Sequence, residues 1–186
     1  MFNRIAKVLY LVMLMLFFAQ NYSYSLESKV FSTQKYLSNN NIEQIFKSNL
    51  GNIPSIIYTK VPRGLVISLD SNIFFEKDSI ELKDSSKELL NKISILISEV
   101  GKPCVVEANS TEKVQRGDFE KSNLELTIVR AQNIAQYIVN TKLVPLNQIY
   151  AIGFGEIMPF RDNVDYREDM DNRIDFVILN YEKYQR

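Results

Sequence analysis

"SNLELTIVRAQNIAQYIV", residues 122–139, lies between two apolar runs, CVVEA at 104–108 and QIYAIGF ending at residue 154. Its periodicity is helical: Ile128, Ala131, Ala135 and Ile138 recur at the spacing of one face and mark an expected buried stripe. Ser122 and Glu125 stand in the order of a capping box, Ser at N-cap and Glu at N3, which sets the start of this helix. At about 100° per residue, Arg130 projects roughly opposite Ile128. Asn123, seven residues earlier, falls nearly in line with Arg130. A polar pair on one edge of a helix is either solvated or faces a ligand, and spacing alone leaves both readings open.

Outward from this helix the pattern alternates. Leu65, Ile67 and Leu69 alternate with Val66 and Ser68, which predicts a strand. SNIFFEKDSIEL reads as a connection with a short extended piece at Phe74 and Phe75. Ser85 to Glu88 reads as a second capping box. It opens a helix with Leu89, Ile93, Leu96 and Val100 inward, stopped by Gly101 and Pro103. CVVEA is a buried strand, residues 109–121 are polar, and RIDFVILN at 173–180 alternates again. Strand, helix, strand, helix, strand, loop, strand describes one α/β domain over residues 63–180, a two-layer sandwich of a mixed sheet with helices on one face. Residues 26–62, with SNNN at 38–41 and GNIP at 51–54, read as a lead-in of weak structure in which NIEQIFKSNL makes a short helix. Residues 181–186 read as a frayed tail.

The first 25 residues have the order of an export signal. Arg4 and Lys7 precede an apolar run of twelve at residues 8–19, and small Ser23 and Ser25 follow. Twelve residues rise only about 18 Å as a helix, short of a hydrocarbon core of roughly 30 Å. Cleavage after Ser25 is therefore expected over a retained anchor. No cysteine lies near that point, which argues against a lipid anchor.

Composition excludes several chemistries. The chain has 186 residues, 46% hydrophobic, with 22 Lys+Arg against 22 Asp+Glu. A net charge of zero provides no field for nucleic acid. There is no histidine, so histidine metal ligands, Ser-His-Asp triads and Cys-His dyads are absent. The single cysteine, Cys104, lies in an apolar run and is expected to be a buried, inert thiol. No phosphate-cradling glycine loop appears, and GFG at 153–155 is too short to be one; Gly153 and Gly155 are expected to serve backbone geometry. The carboxylates from Asp162 to Asp171 lack the spacing of a calcium loop and read as a solvated loop. No cofactor, metal or enzymatic activity is expected.

Four stretches together carry a family likeness: RGLVISLDSNIFFEKDSIELKDSSKELL, SNLELTIVRAQNIAQYI, GFGEIMPFRDN and DNRIDFVI. In order and spacing they resemble the OmpA-like C-terminal domain, the peptidoglycan-associated module of outer-membrane proteins, Pal-type lipoproteins and MotB-type motor proteins. The resemblance covers about residues 63–179. It implies non-covalent binding of peptidoglycan through the diaminopimelate of the stem peptide, in the periplasm or at the outer membrane. It also implies outer-membrane or envelope-complex proteins as further partners. Arg130 stands where the family places the arginine of its "LSxxRA" motif, with Leu126-Thr127 in place of Leu-Ser. A guanidinium matches a carboxylate bidentately. Asn123 matches an asparagine seven residues before that arginine, and Arg173 the first arginine of "NRR".

The departures fall on the other half of the clamp. The family's "GHTD", whose aspartate grips the ligand amine, reads Ala108-Asn109-Ser110-Thr111 here. Thr111 brings no charge. Glu112 is adjacent, but a one-residue shift turns a side chain elsewhere. The second arginine of "NRR" is Ile174, and "EGR" reads Arg167-Glu168-Asp169. Binding is expected to be weakened, supported by Glu112, or lost. Without a ligand, Arg130 would be an ordinary surface ion pair, Asn123 a helix-start residue, and Arg173 a partner of the acidic loop before it.

Two functions follow from this pattern. One is an exported module that tethers itself or a partner to the wall. The other is a structural subunit of an envelope complex that kept the fold and lost the ligand. A proton-driven stator is not expected, since residues 8–19 hold no acidic residue. A wall-cleaving enzyme lacks a candidate nucleophile or carboxylate pair. Residues 26–62 are too short for an eight-stranded membrane barrel.

Overall fold

Gly64–Asp70 carries apolar side chains on both faces, and a strand so built belongs inside a sheet. In the computed structural model this stretch is strand β2, with Leu65, Ile67 and Leu69 enclosed on one face and Val66 and Ser68 on the other. It pairs antiparallel with β1 (Ile57–Val61) and with β5 (Arg173–Leu179). β5 also pairs antiparallel with β3 (Cys104–Asn109), and β3 pairs parallel with β4 (Ile149–Gly155). The order β1-β2-β5-β3-β4 is the mixed sheet expected of the sequence.

The structure describes residues 39–51, 53, 56–111, 122–158 and 171–180. All lie in the second of the two units into which the chain divides, Ser38–Arg186. The expected export signal at 1–25, Glu112, the carboxylates from Asp162 to Asp169 and the tail at 181–186 lie outside the described residues.

Among the described residues, three helices cover one face: α1 (Asn39–Leu50), α2 (Lys87–Val100) and α3 (Asn123–Asn140). Leu65, Ile67 and Leu69 of β2, Cys104, Val106 and Ala108 of β3, and Ile174, Phe176 and Ile178 of β5 share that face and are almost wholly enclosed. Phe74, from the connection after β2, meets Phe176 edge-on, ring centres 6.0 Å apart. Each of the Leu, Ile, Val and Phe side chains taken from water contributes about 1.5–3 kcal/mol.

The two expected capping boxes differ in outcome. At α3, Ser122 Oγ accepts from the Glu125 N–H at 3.2 Å, as read from the sequence. At α2 the box does not form. A 3-10 turn over Asp84–Ser86 runs straight into the helix, so Ser86 already has helical angles and its hydroxyl donates to the Lys83 carbonyl at 2.7 Å. The buried face of α2 accordingly uses Leu90, Ile93, Leu96, Ile97 and Val100, and Leu89 is only half-buried. Gly101, at φ 65°, closes the helix as expected, its N–H on the Ile97 carbonyl.

Within the lead-in expected over residues 26–62, the short helix read at NIEQIFKSNL is present, but the weak structure expected around it is corrected. α1 buries Ile42, Phe46 and Leu50. β1 forms a hairpin with β2, so the expected boundary at Arg63 falls inside that turn. Glu43 of α1 pairs with Lys60 of β1 at 2.8 Å, fastening the helix to the sheet edge.

Candidate functional site

The C-terminal ends of β2, β3 and β4 and the N-terminal ends of β5 and α3 meet at one edge of the sheet. Asp70 and Asn109 both stand opposite Arg173, and Asn109 stands opposite Gly155 across a bulge. α3 packs tightly on β4 there. A Cβ on Gly153 would collide with the backbone of Thr127 and Ile128, and Gly155 adopts φ 56°. Both glycines thus serve backbone geometry. The Gly155 N–H donates to Thr127 Oγ1 at 2.9 Å, and the Ser110 N–H donates to the Gly155 carbonyl at 2.8 Å.

Arg130 is buried, at 1% exposure. Its angular position opposite Ile128 was read correctly, and Ala131, Ala135 and Ile138 are buried as expected, but Arg130 takes the buried place and Ile128 the exposed one. The buried face of α3 carries Leu126, Thr127, Arg130, Ala131, Ile134, Ala135 and Ile138, whereas Ile128 is 37% exposed. The guanidinium lies over the Phe75 ring, 5.1 Å from its centre. Nε donates to the Ser79 carbonyl at 2.8 Å and Nη2 to the Glu76 carbonyl at 3.2 Å. Between those carbonyls the chain turns, with Asp78 at φ 56° and the Ser79 N–H on the Glu76 carbonyl.

Asn123 opens α3 half-buried, on the same side as Arg130. Its Oδ1 is buried and has no hydrogen-bond partner among the described residues. Thr111 is exposed just past β3, and its N–H donates to Asn172 Oδ1 at 3.0 Å. Asn172 was not singled out in the sequence, yet it organises this edge. Its Oδ1 also accepts from Ser110 Oγ at 2.9 Å, and its carbonyl accepts from the Ser71 N–H.

Arg173 is also buried, on the face of the sheet that carries no helix among the described residues. Its Nε donates to Asp175 Oδ2 at 2.9 Å and its Nη2 to the Met158 carbonyl at 3.0 Å. α3, and with it Arg130, stands on the other face. The structure therefore brings Asn123 and the end of β3 before Thr111 together around Gly155, turns Arg130 onto the loop at Glu76 and Ser79, and sets Arg173 on the opposite face of the sheet.

That helix-free face holds a layer of charge that the sequence reading missed. Arg63 grips the buried Glu107 carboxylate with two bonds, at 2.5 and 2.7 Å. Asn109 Nδ2 donates to Asp175 Oδ2 at 3.3 Å. Burial raises the Asp175 pKa above its ordinary value, and the Glu107 charge adds to the rise; Arg173 and a bond from Ser68 act against it. The signal was present in strict alternation: Arg173 and Asp175 with Ile174 and Phe176, and Glu107 and Asn109 with Val106 and Ala108. Among the described residues, no group of three or more His, Cys, Asp or Glu side chains is arranged to hold a metal ion.

Comparison with known proteins places this geometry. The pattern of the OmpA family matches residues 74–173. The "Uncharacterized protein YtxE" of Bacillus subtilis (strain 168) is 23% identical over 121 residues, 65% of this chain and 50% of that protein. The chain thus spans about half the length of that relative. A putative MotB-like protein from Desulfovibrio vulgaris superposes with a TM-score of 0.64 at 20% identity, over 87% of this chain and 99% of that one. The cell wall anchor of the T6SS from Pseudomonas aeruginosa gives 0.60 at 16% identity, over 74% and 96%. The periplasmic domain of Helicobacter pylori MotB gives 0.58 at 20%, over 67% and 82%. The structures share the fold, the family pattern covers more than half of the sequence, and the chain belongs to the OmpA family.

Proposed function

We propose that this chain is an exported envelope protein that binds peptidoglycan non-covalently, through the diaminopimelate of the stem peptide, at the edge where α3 begins. The observation that carries the reading is Asn123: a buried acceptor oxygen without a partner, next to Gly155 at the end of β4 and on the Arg130 side of α3. An unsatisfied buried acceptor costs about 1–3 kcal/mol, which a donor on the ligand would recover. In this reading Asn123 takes an amide or amine N–H, and Arg130 fixes the loop 76–80 that walls the site and contributes its charge. Thr111, with Glu112 next to it in sequence, occupies the amine end, where a family carboxylate is lost. The part of Arg173 is indirect: through Met158 and Asp175 it holds the floor of the edge. An anchor to the cell wall fits the family and one structural neighbour, the cell wall anchor of the T6SS from Pseudomonas aeruginosa.

A second reading has its own observation. Nε and Nη2 of Arg130 and the corresponding nitrogens of Arg173 are engaged inside the fold, and Thr111 is uncharged. A chain with its clamp so engaged would serve as a structural subunit of an envelope complex. Co-sedimentation with isolated sacculi separates the two. The first reading expects the wild type to pellet and Asn123→Ala to remain in the supernatant with a melting temperature no lower than that of the wild type. A wild type that stays in the supernatant removes the first reading and leaves the second.

A further inference from the structure

A groove of about 450 Å³ crosses the face of the sheet that carries no helix among the described residues. At one end it is walled by Thr59, Val61 and Val66, and at the other by Phe154, Ile157 and Met158. Between them the floor is polar: Arg63 with Glu107, and Arg173 with Asp175, Asn109 and Ser68. From β1 to β4 it passes over five strands, four spacings of about 4.8 Å, or about 19 Å. Two floor residues retain an unsatisfied atom. Asn109 Oδ1 and Asp175 Oδ1 are buried with no hydrogen-bond partner among the described residues, in residues only 2% and 4% exposed.

The chemistry of this floor selects a ligand class. Two arginines and two carboxylates cancel in formal charge, so the groove has no net attraction for an ion. Both unsatisfied atoms are acceptors, which rejects a phosphate or a free carboxylate and calls for O–H or N–H donors. An ammonium would add a third cation beside Arg63 and Arg173. Neutral donors remain, on a ligand long enough to cross the sheet and with an apolar face to lie on Phe154 and Met158. A chain of sugars has these features: hydroxyl and acetamido donors on its edges and C–H surfaces on its ring faces.

We propose that the helix-free groove binds an uncharged amino-sugar oligosaccharide, the glycan of the polymer whose peptide is read at the neighbouring edge. This rests on the wall-binding reading for the identity of the polymer, but the groove is a separate site on the opposite face. Arg173 is the structural link, since it lines the groove and holds Met158 at the edge. One polymer would thus be held by its peptide on one side of β5 and by its sugars on the other.

The test is a titration of the purified full chain with a soluble tetramer of N-acetylglucosamine, followed by amide NMR shifts, beside a separate titration with a diaminopimelate-containing stem peptide. The proposal expects the tetramer to shift Asn109, Phe154 and Asp175. The double variant Phe154→Ser, Met158→Ser should weaken the tetramer at least tenfold and leave the melting temperature unchanged. Serine at these partly exposed positions removes the apolar wall without opening the core. If the tetramer binds and the peptide does not, the groove stands and the peptide clamp falls. If the peptide binds and the tetramer gives no shift, or shifts only residues near Asn123, the groove proposal is overturned and the clamp stands. If neither binds, both are overturned.

Discussion

Arg130 Nε and the Ser79 carbonyl oxygen lie 2.8 Å apart, joining positions 51 residues distant in sequence. Asn133 repeats the contact one turn later, its Nδ2 on the Ile80 carbonyl at 2.7 Å. α3 therefore holds the loop after β2 by its backbone, whatever side chains the loop carries. Arg130→Ala would take a donor from the Ser79 and Glu76 carbonyls and empty the buried space of the guanidinium over Phe75, and is expected to lower stability by about 3 kcal/mol. Arg130→Lys should recover only part of it, because an ammonium cannot reproduce the planar fork. Urea denaturation measures both, and an alanine variant within about 0.5 kcal/mol of wild type would contradict this structural role.

Two glycines should respond differently to one added methyl group. At Gly153 the new Cβ meets backbone atoms of Thr127 and Ile128, which cannot move without shifting α3 from β4. At Gly101 nothing lies within 4 Å, and only the left-handed φ of 65° opposes alanine. Gly153→Ala is expected to cost about 3 kcal/mol and Gly101→Ala about 1 kcal/mol. Thermal melts of the two variants check the order, and a reversed order would mean that α3 stands further from β4 than described.

What was legible in the sequence, and what was not, divides along physical lines. Alternation over residues 65–69 and 173–180, and the Ser122 cap, gave their elements directly, because each signal is local. β1 was hidden because IYTKV is a short edge strand with a lysine, half-buried, and is recognisable only through its partner β2. Arg130 was assigned to the wrong face because a charged residue on a helix is ordinarily solvated. The corrective signal was its place in the series Leu126, Arg130, Ile134, Ile138, one every four residues along a buried stripe. Arg173 was legible as a special arginine but not as a partner of Asp175, since two-residue spacing places both on one face only once the strand is established.

Cys104 is fully enclosed on the helix side of β3. Burial raises its thiol pKa far above the ordinary value, and the Glu107 charge adds to the rise. No thiolate should form at any pH the fold survives. Thiol reagents at pH 8 are expected to label none of it in the native chain and all of it in 6 M guanidinium. Rapid native labelling would show that this strand opens.

Asp175 gives stability a pH dependence of a particular sign. Its folded pKa is raised, so the native carboxyl takes up a proton at higher pH than the unfolded one, whose ordinary value is 3.8. From this group alone, stability rises as pH falls through the folded value and levels off below 3.8. Asp175→Asn carries no such proton. The stability of the wild type relative to this variant should therefore increase from pH 7 to pH 4, as read by guanidinium denaturation at each pH. A relative loss over that interval would mean that the Arg173 ion pair outweighs burial.

The last prediction restores what the sequence lacks. Thr111 stands where the family resemblance places an aspartate for the ligand amine, and its side chain is exposed. Its backbone N–H is already fixed on Asn172 Oδ1, so the position is held whatever its side chain. Thr111→Asp adds a carboxylate at low structural cost, a surface change expected to move stability by under about 0.5 kcal/mol. If the edge binds diaminopimelate, the new charge meets an ammonium, and a charge-assisted bond of about 1.5 kcal/mol corresponds to roughly tenfold tighter binding. Sedimentation with sacculi at graded protein concentration should show that gain, and it should shrink as salt is raised, because the added attraction is between charges near the surface. A gain that is insensitive to salt would point to a contact other than the amine. An unchanged affinity would mean that position 111 does not face the ligand, and the amine end would then have to be sought at Glu112.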